Sequence, residues 1–270
     1  MPVINTNVSA LSAQNALRTN ARSMNTSMEQ LSTGSRINSA KDDAAGLAIG
    51  QNMTSQIRGL NMAVRNINDG VNMMQTAEGA MIEQSNMLQR MRELAVQAAN
   101  GTVSDTQRSY LNTEFQALTT QIGSIASQST WNGTTLMNTT GTFSFQAGAS
   151  SGQTINVVIT SMGTASLGIS TASISSATIA ATAIATLDTA LNSINSQRAT
   201  IGAGINQMTY AGDNMSNIAA NASASRSTVM DTDYATASTN LAKNQIIQQA
   251  ATAMLAQANQ QPQSVLSLLK

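Results

Sequence analysis

Leu60-Asn61-Met62-Ala63-Val64-Arg65-Asn66-Ile67-Asn68-Asp69-Gly70-Val71-Asn72-Met73-Met74 carries apolar side chains at 60, 64, 67, 71 and 74. Alternating steps of four and three put these on one stripe of an α-helix, the spacing of a heptad seam. Outward from this stretch, no proline interrupts the chain between Ala44 and Ala99, and Asn100-Gly101 ends the pattern. A helix of roughly 50 residues is about 75 Å long at 1.5 Å per residue. A compact globule of the whole chain would have a radius of gyration of only roughly 18 Å. The stretch therefore predicts a mainly α, elongated protein: an antiparallel long-helix bundle or coiled coil.

The same alternation recurs on both sides. Leu17, Ala21, Met24, Met28 and Leu31 form a short seam, with Gly34 as its stop and Asp42 or Asp43 as the N-cap of the long helix. A third helix is predicted from Asp105 to about Ser127 through Leu111, Phe115, Leu118, Ile122 and Ile125, with Ser104 or Asp105 as N-cap. Trp131-Asn132-Gly133 reads as a turn. Thr142 to Ala147 and Thr154 to Thr160 alternate with period two and read as a β-hairpin. Residues 161–186, rich in Ser, Thr, Ala and Gly, read as an irregular, solvent-facing connection. From Leu187 the seam resumes through Leu191, Ile194, Arg198, Ile201, Ile205, Met208, Gly212 and Met215, and Asp231-Thr232-Asp233 punctuates it. A last helix carries Ile247, Ala251, Met254, Ala258, Gln261, Val265 and Leu268, with Pro262 as a kink or break. The two ends mirror each other, so the chain is expected to fold as a hairpin with its termini side by side.

Composition removes most chemistry. Among 270 residues there are 13 basic and 13 acidic side chains, no Cys and no His. Structural zinc, disulfides and Ser-His-Asp or Cys-His catalysis are excluded. The balanced charge gives no footprint for nucleic acid. No run of about 18 apolar residues exists for a membrane span, and residues 1–30 lack the basic and apolar regions of a cleavable secretory signal. Gly202-Ala203-Gly204 lies within a helical period and follows no strand, so it reads as helix packing rather than a dinucleotide loop. Lys41-Asp42-Asp43 and Asp231-Thr232-Asp233 read as helix caps, not metal ligands. No catalytic, cofactor or metal site is expected.

The terminal helices pose the opposite problem. Each has an apolar stripe flanked by Asn, Gln, Ser and Thr, and no ionisable side chain lies between Lys243 and Lys270. Surface helices usually carry dense charge. Such a stripe (Leu17, Met24, Met28, Leu31, Ile247, Met254, Val265, Leu268) is explained as surface buried by other copies of the chain. A heterologous contact that does not close propagates a helical filament.

Five segments resemble bacterial flagellin: Val3 to Asn7, Leu31 to Gly46, Asn68-Asp69-Gly70, Gln89 to Gln97, and Leu255 to Gln260 with Val265 to Leu269. The resemblance covers roughly residues 1–140 and 185–270. It implies a structural subunit of the extracellular flagellar filament, a propeller for swimming and not an enzyme. It also implies that 1–42 and 234–270 form an inner layer of terminal helices and 43–233 an outer helical shell. Residues 141–186 are then a short variable region in place of the large outer domains of longer relatives.

Further implications concern partners. These are identical subunits or sister flagellins, an export chaperone, the filament cap and hook-junction proteins, with secretion unfolded through the flagellar type III channel. Arg90, Leu94 and Glu114 match the family's positions for a host Toll-like receptor and for inter-subunit contact. Ser161, Thr164, Ser166, Ser170, Thr171, Ser173 and Thr178 are O-glycosylation candidates. A hook-filament junction protein and a secreted adhesin or ligand are the alternative readings.

Overall fold

The computed structural model describes residues 6–267, with side chains to residue 260. Five helices and four short strands follow in order: α1 (Val8–Thr33), α2 (Ala44–Ala99), α3 (Asp105–Gln128), β1 (Thr130–Trp131), β2 (Thr134–Thr135), β3 (Gly141–Gln146), β4 (Thr154–Ile159), α4 (Ala177–Met230) and α5 (Tyr234–Ser267). The protein is mainly α, as its periodicity predicts. Two compact units are formed, one from Met1–Ser55 with Asn221–Lys270, the other from Gln56–Ala220.

Helix ends follow local chemistry. The side chain of Asn7 accepts from Ala10 N and starts α1, and Gly34 closes it in the left-handed conformation at φ 70°. A Cβ on Gly34 would also lie 3.1 Å from the Tyr234 hydroxyl. Asp43 is the N-cap of α2, its Oδ1 accepting from Gly46 N at 2.8 Å, while Asp42 accepts from Asn38 N, Ser39 N and Ser39 Oγ in the preceding turn. Ser104 and Gln107 form a reciprocal capping box at the start of α3. The buried Arg108 then closes the end of α2, donating to Ala98 O, Asn100 O and Asp105 Oδ1.

In the second unit the buried row of α2 runs Leu60, Ala63, Ile67, Gly70, Met74, Ala77, Met81, Gln84, Leu88, Met91, Ala95, Ala98, in unbroken steps of three and four. On α4 the row is Leu187, Ala190, Ile194, Gln197, Ile201, Gly204, Met208. Large residues alternate with small ones, and each row holds one amide. Gln84 donates from Nε2 to Ile122 O and Met162 O at 3.2 and 3.1 Å. Gln197 donates to Val158 O at 2.8 Å and accepts from the Thr160 hydroxyl at 2.8 Å. The small positions serve close approach. Built Cβ atoms on Gly70 and Gly204 would lie 2.9 Å from Phe145 Cδ1 and 3.1 Å from Val157 Cγ2, so these glycines seat the β3–β4 hairpin on the helices. Trp131-Asn132-Gly133 makes its turn through positive φ at Asn132 and Gly133, and pairs β1 with β2.

Four expectations are corrected. Residues 161–176 lack regular helix or strand but are not solvent-facing: Met162, Leu167, Ile169 and Ile174 are buried in the core. Helix α4 begins at Ala177, ten residues before Leu187, because the Ala-rich run suits a helix and buries Ala180 and Ala183. Leu191, Arg198 and Ile205 are only half-buried, and their neighbours Ala190, Gln197 and Gly204 occupy the core row. Finally, α5 passes Pro262 without ending there; proline forfeits one backbone bond, but its φ is helical.

Candidate assembly surfaces

In the first unit, α1 packs against α5. The row of α1 that faces inward is Ala10, Ala13, Leu17, Asn20, Met24, Ser27, Leu31, and that of α5 is Ala237, Leu241, Asn244, Gln248, Ala251, Leu255, Ala258. Asn20 Nδ2 donates to Asn244 O at 2.8 Å and Asn7 Nδ2 to Ala258 O at 2.7 Å, which fixes an antiparallel register. Small and polar residues outnumber large apolar ones in these rows.

Both connectors of this unit are joined as well. Arg36 N donates to Met230 O at 2.7 Å, Thr232 N to Gly34 O at 3.0 Å, and Ser35 pairs with Asp231 as an isolated bridge. The Arg36 guanidinium donates to Val229 O and the Ser35 hydroxyl to Met230 O, satisfying carbonyls at the end of α4. Sequence reasoning saw these segments only as punctuation; Arg36 opposite a helix end was the available signal.

The expected stripe divides between two roles. Leu17, Met24 and Leu31 belong to the α1 row that meets α5, whereas Met28, Ile247 and Met254 are exposed, together with Val8, Leu11 and Ile246. Val265 falls within α5 beyond the last described side chain, and Leu268 lies outside the described residues, as do Val3, Ile4 and Asn5. The terminal pair thus mixes small and polar residues with a few large apolar ones internally and leaves other large apolar side chains facing outward.

In the second unit, Arg90 donates to Glu114 Oε1 at 3.0 Å and to Glu93 Oε2 at 2.9 Å. Glu114 first, then Glu93, raises the pKa of the guanidinium. Water screens exposed pairs of this kind, so they add little to stability. Leu94 does not join this surface. It is buried among the core residues, because it follows Met91 on the inward side of α2. Arg92 pairs with Asp188 at 2.7 Å and links α2 to α4.

The hydroxyl candidates also divide. Ser161 donates to Asn138 O, Ser166 to Ser161 and Ser173 to Asn112 Oδ1, and Thr164 is half-buried. Ser166, Ser170, Thr171 and Thr178 are exposed. Beside them an open groove of about 760 Å³ is lined by Thr140, Thr160, Ser166, Ser193 and Gln197, and none of its lining residues is titratable. Among the described residues no group of three His, Cys, Asp or Glu could hold a metal, and no helix is long and apolar enough to cross a membrane.

Two family models match the chain. One described as the bacterial flagellin N-terminal helical region covers residues 4–142, and one described as the bacterial flagellin C-terminal helical region covers residues 184–269. The chain belongs to the bacterial flagellin family. A flagellin of Halalkalibacterium halodurans is 41% identical over 271 residues, spanning 99% of this chain and 100% of that one. A flagellin of Bacillus subtilis strain 168 is 40% identical and spans 99% of each. The crystal structure of Bacillus cereus flagellin is 32% identical, with a TM-score of 0.51 over 56% of this chain and 88% of that one. Flagellins of this short length therefore occur. The segment between the two matched regions holds most of the β3–β4 hairpin and the Ser/Thr-rich connection.

Proposed function

We propose that the chain is the structural subunit of a flagellar filament, assembling with copies of itself through its terminal helices and acting mechanically rather than as a catalyst. The observation that carries this reading is the outward apolar surface of the α1–α5 pair, Val8, Leu11, Met28, Ile246, Ile247 and Met254, on helices with few charges. Leaving so many large apolar groups in water is costly, at about 25 cal/mol per Å² of apolar surface. A second copy that covers them recovers this energy at every step of a growing polymer.

In this reading residues 1–42 and 234–270 form the inner layer and 43–233 the outer shell. Export chaperone, cap and hook-junction proteins are its partners before and during growth outside the cell. Arg90 and Glu114 offer a polar surface to a neighbouring subunit or a host receptor, and Leu94 supports it from below. Of the glycosylation candidates, Ser166, Ser170, Thr171 and Thr178 are the exposed acceptors. Purified subunit added to filament fragments should elongate them, seen by electron microscopy. Failure to elongate at any subunit concentration would sink the proposal.

A further inference from the structure

All thiol and thioether sulfur in this chain is methionine: there are 16 Met and no Cys. The fold grades that sulfur, with Met24, Met53, Met87, Met215 and Met230 half-buried between the two extremes. Met74, Met81, Met91, Met137 and Met208 are fully enclosed in the second unit, while Met28, Met62 and Met254 stand 54%, 48% and 64% exposed. Met28 and Met254 lie on the two helices that pair in the first unit, and both sit off the rows along which those helices meet. Charged residues usually hold such helix positions. An unbranched, polarisable thioether there suits a contact whose shape must adapt.

We propose that Met28 and Met254 are oxidation sites through which a peroxide or hypochlorite reversibly switches off the subunit's capacity to extend a filament. The inference rests on the assembly reading above. In the peroxide case a sulfur lone pair attacks one peroxide oxygen. An S–O bond forms as the O–O bond breaks, and the leaving hydroxide takes up the proton to become water. The thioether loses two electrons, and the peroxide is reduced by two. The product is a sulfoxide, a polar and chiral group in place of a flexible apolar one. Burying it between subunits carries the penalty of an imperfectly paired polar group. The enclosed methionines escape because the oxidant cannot reach them, so damage falls on assembly and spares the fold. Once a subunit is in the polymer, the same two sulfurs are covered and protected.

The test uses the full chain. Subunit shown beforehand to extend filament fragments is treated with hydrogen peroxide, freed of oxidant, mapped by peptide mass and added to fragments. One added oxygen is expected on Met28 and on Met254, none on Met74 or Met81, and a fall in elongation rate of about tenfold or more. Methionine sulfoxide reductases A and B, one for each sulfoxide epimer, supplied with a dithiol that is oxidised to a disulfide as the oxygen leaves as water, should restore the rate. The Met28→Leu, Met254→Leu double variant should keep its rate after treatment even though Met62 is oxidised. In preformed filaments Met28 and Met254 should resist peroxide.

The proposal is overturned by unchanged elongation of subunit carrying oxygen at both residues. It is equally overturned by a reductase that removes the oxygen without restoring growth, or by equally fast oxidation of filament and free subunit. Should the double variant assemble poorly when untreated, the reductase experiment on the unaltered chain decides alone. Failure of untreated subunit to elongate fragments counts against the assembly reading instead, and is seen before any oxidant is added.

Discussion

Asp233 and Asp42 act through local hydrogen bonds rather than ion pairs. Asp233 accepts from Ala235 N, Thr236 N and the Thr236 hydroxyl at the start of α5, and Asp42 from Ser39 and Asn38. The bond from the Thr236 hydroxyl, then those from the backbone, lowers the pKa of Asp233; for Asp42 the Ser39 hydroxyl is the largest cause of the same shift. A lowered folded pKa means stabilisation that is present above the unfolded value and lost as pH falls below about 4. Far-UV circular dichroism between neutral and strongly acid pH should show helix lost in this window. Asp233→Asn keeps a capping side chain without the charge, so its acid loss should be smaller. Buried amides act at the same scale in the second unit. Gln197→Met leaves Val158 O and the Thr160 groups without their partner, and should cost about 1–3 kcal/mol, read as a lower urea midpoint.

For the helices as elements, the glycines make a sharper test than the apolar residues. Gly79 and Gly202 have nothing within 4 Å of a built Cβ, whereas one on Gly70 meets Phe145 and Met208 Sδ, and one on Gly50 meets Met230 Sδ at 2.5 Å. Alanine at 79 or 202 should therefore stabilise by about 0.5–1 kcal/mol through helix propensity. At 70 the same change must displace the hairpin, and should be net destabilising by about 1 kcal/mol; thermal melts of the four single variants would rank them. Close approach also explains what the sequence hid. The α2 span from Ala44 to Ala99 was readable because proline-free periodicity and two strong punctuations bound it. On α4 the large residues Leu191 and Ile205 look like core, yet Ala190 and Gly204 hold those places, since only a small side chain lets the hairpin reach the helix. Ala177 to Thr186 carried too little amphipathic contrast to be seen as helix. The family resemblance groups Leu94 with Arg90 and Glu114, but its spacing from Met91 points it inward.

In the whole molecule, the core of Gln56–Ala220 is self-contained, drawing on α2, α3, both β3 and β4, and α4. A chain lacking residues 234–270 should therefore keep the helical signal and cooperative unfolding of this unit while losing polymerisation, since α1 then has no α5 row to meet. Loss of most helicity on that truncation would contradict the division. The ends are legible as paired helices, but which side of each is internal was not, because Asn20, Ser27, Asn244 and Gln248 are inward-facing yet polar. Those amides have a consequence for fidelity. A seven-residue repeat is like a ruler with identical marks: sliding one helix past its partner by one period restores nearly every apolar contact. An off-register pair would then be a trap almost as deep as the native one. On α1, α2 and α4 a single amide in the row, hydrogen-bonded to fixed backbone carbonyls, numbers the ruler. Slippage by a period strands Asn20, Gln84 or Gln197 away from its acceptor, at about 1–3 kcal/mol each. A chain that must find its alignment repeatedly, copy after copy, thus carries in the α1, α2 and α4 rows one residue that tells the repeats apart.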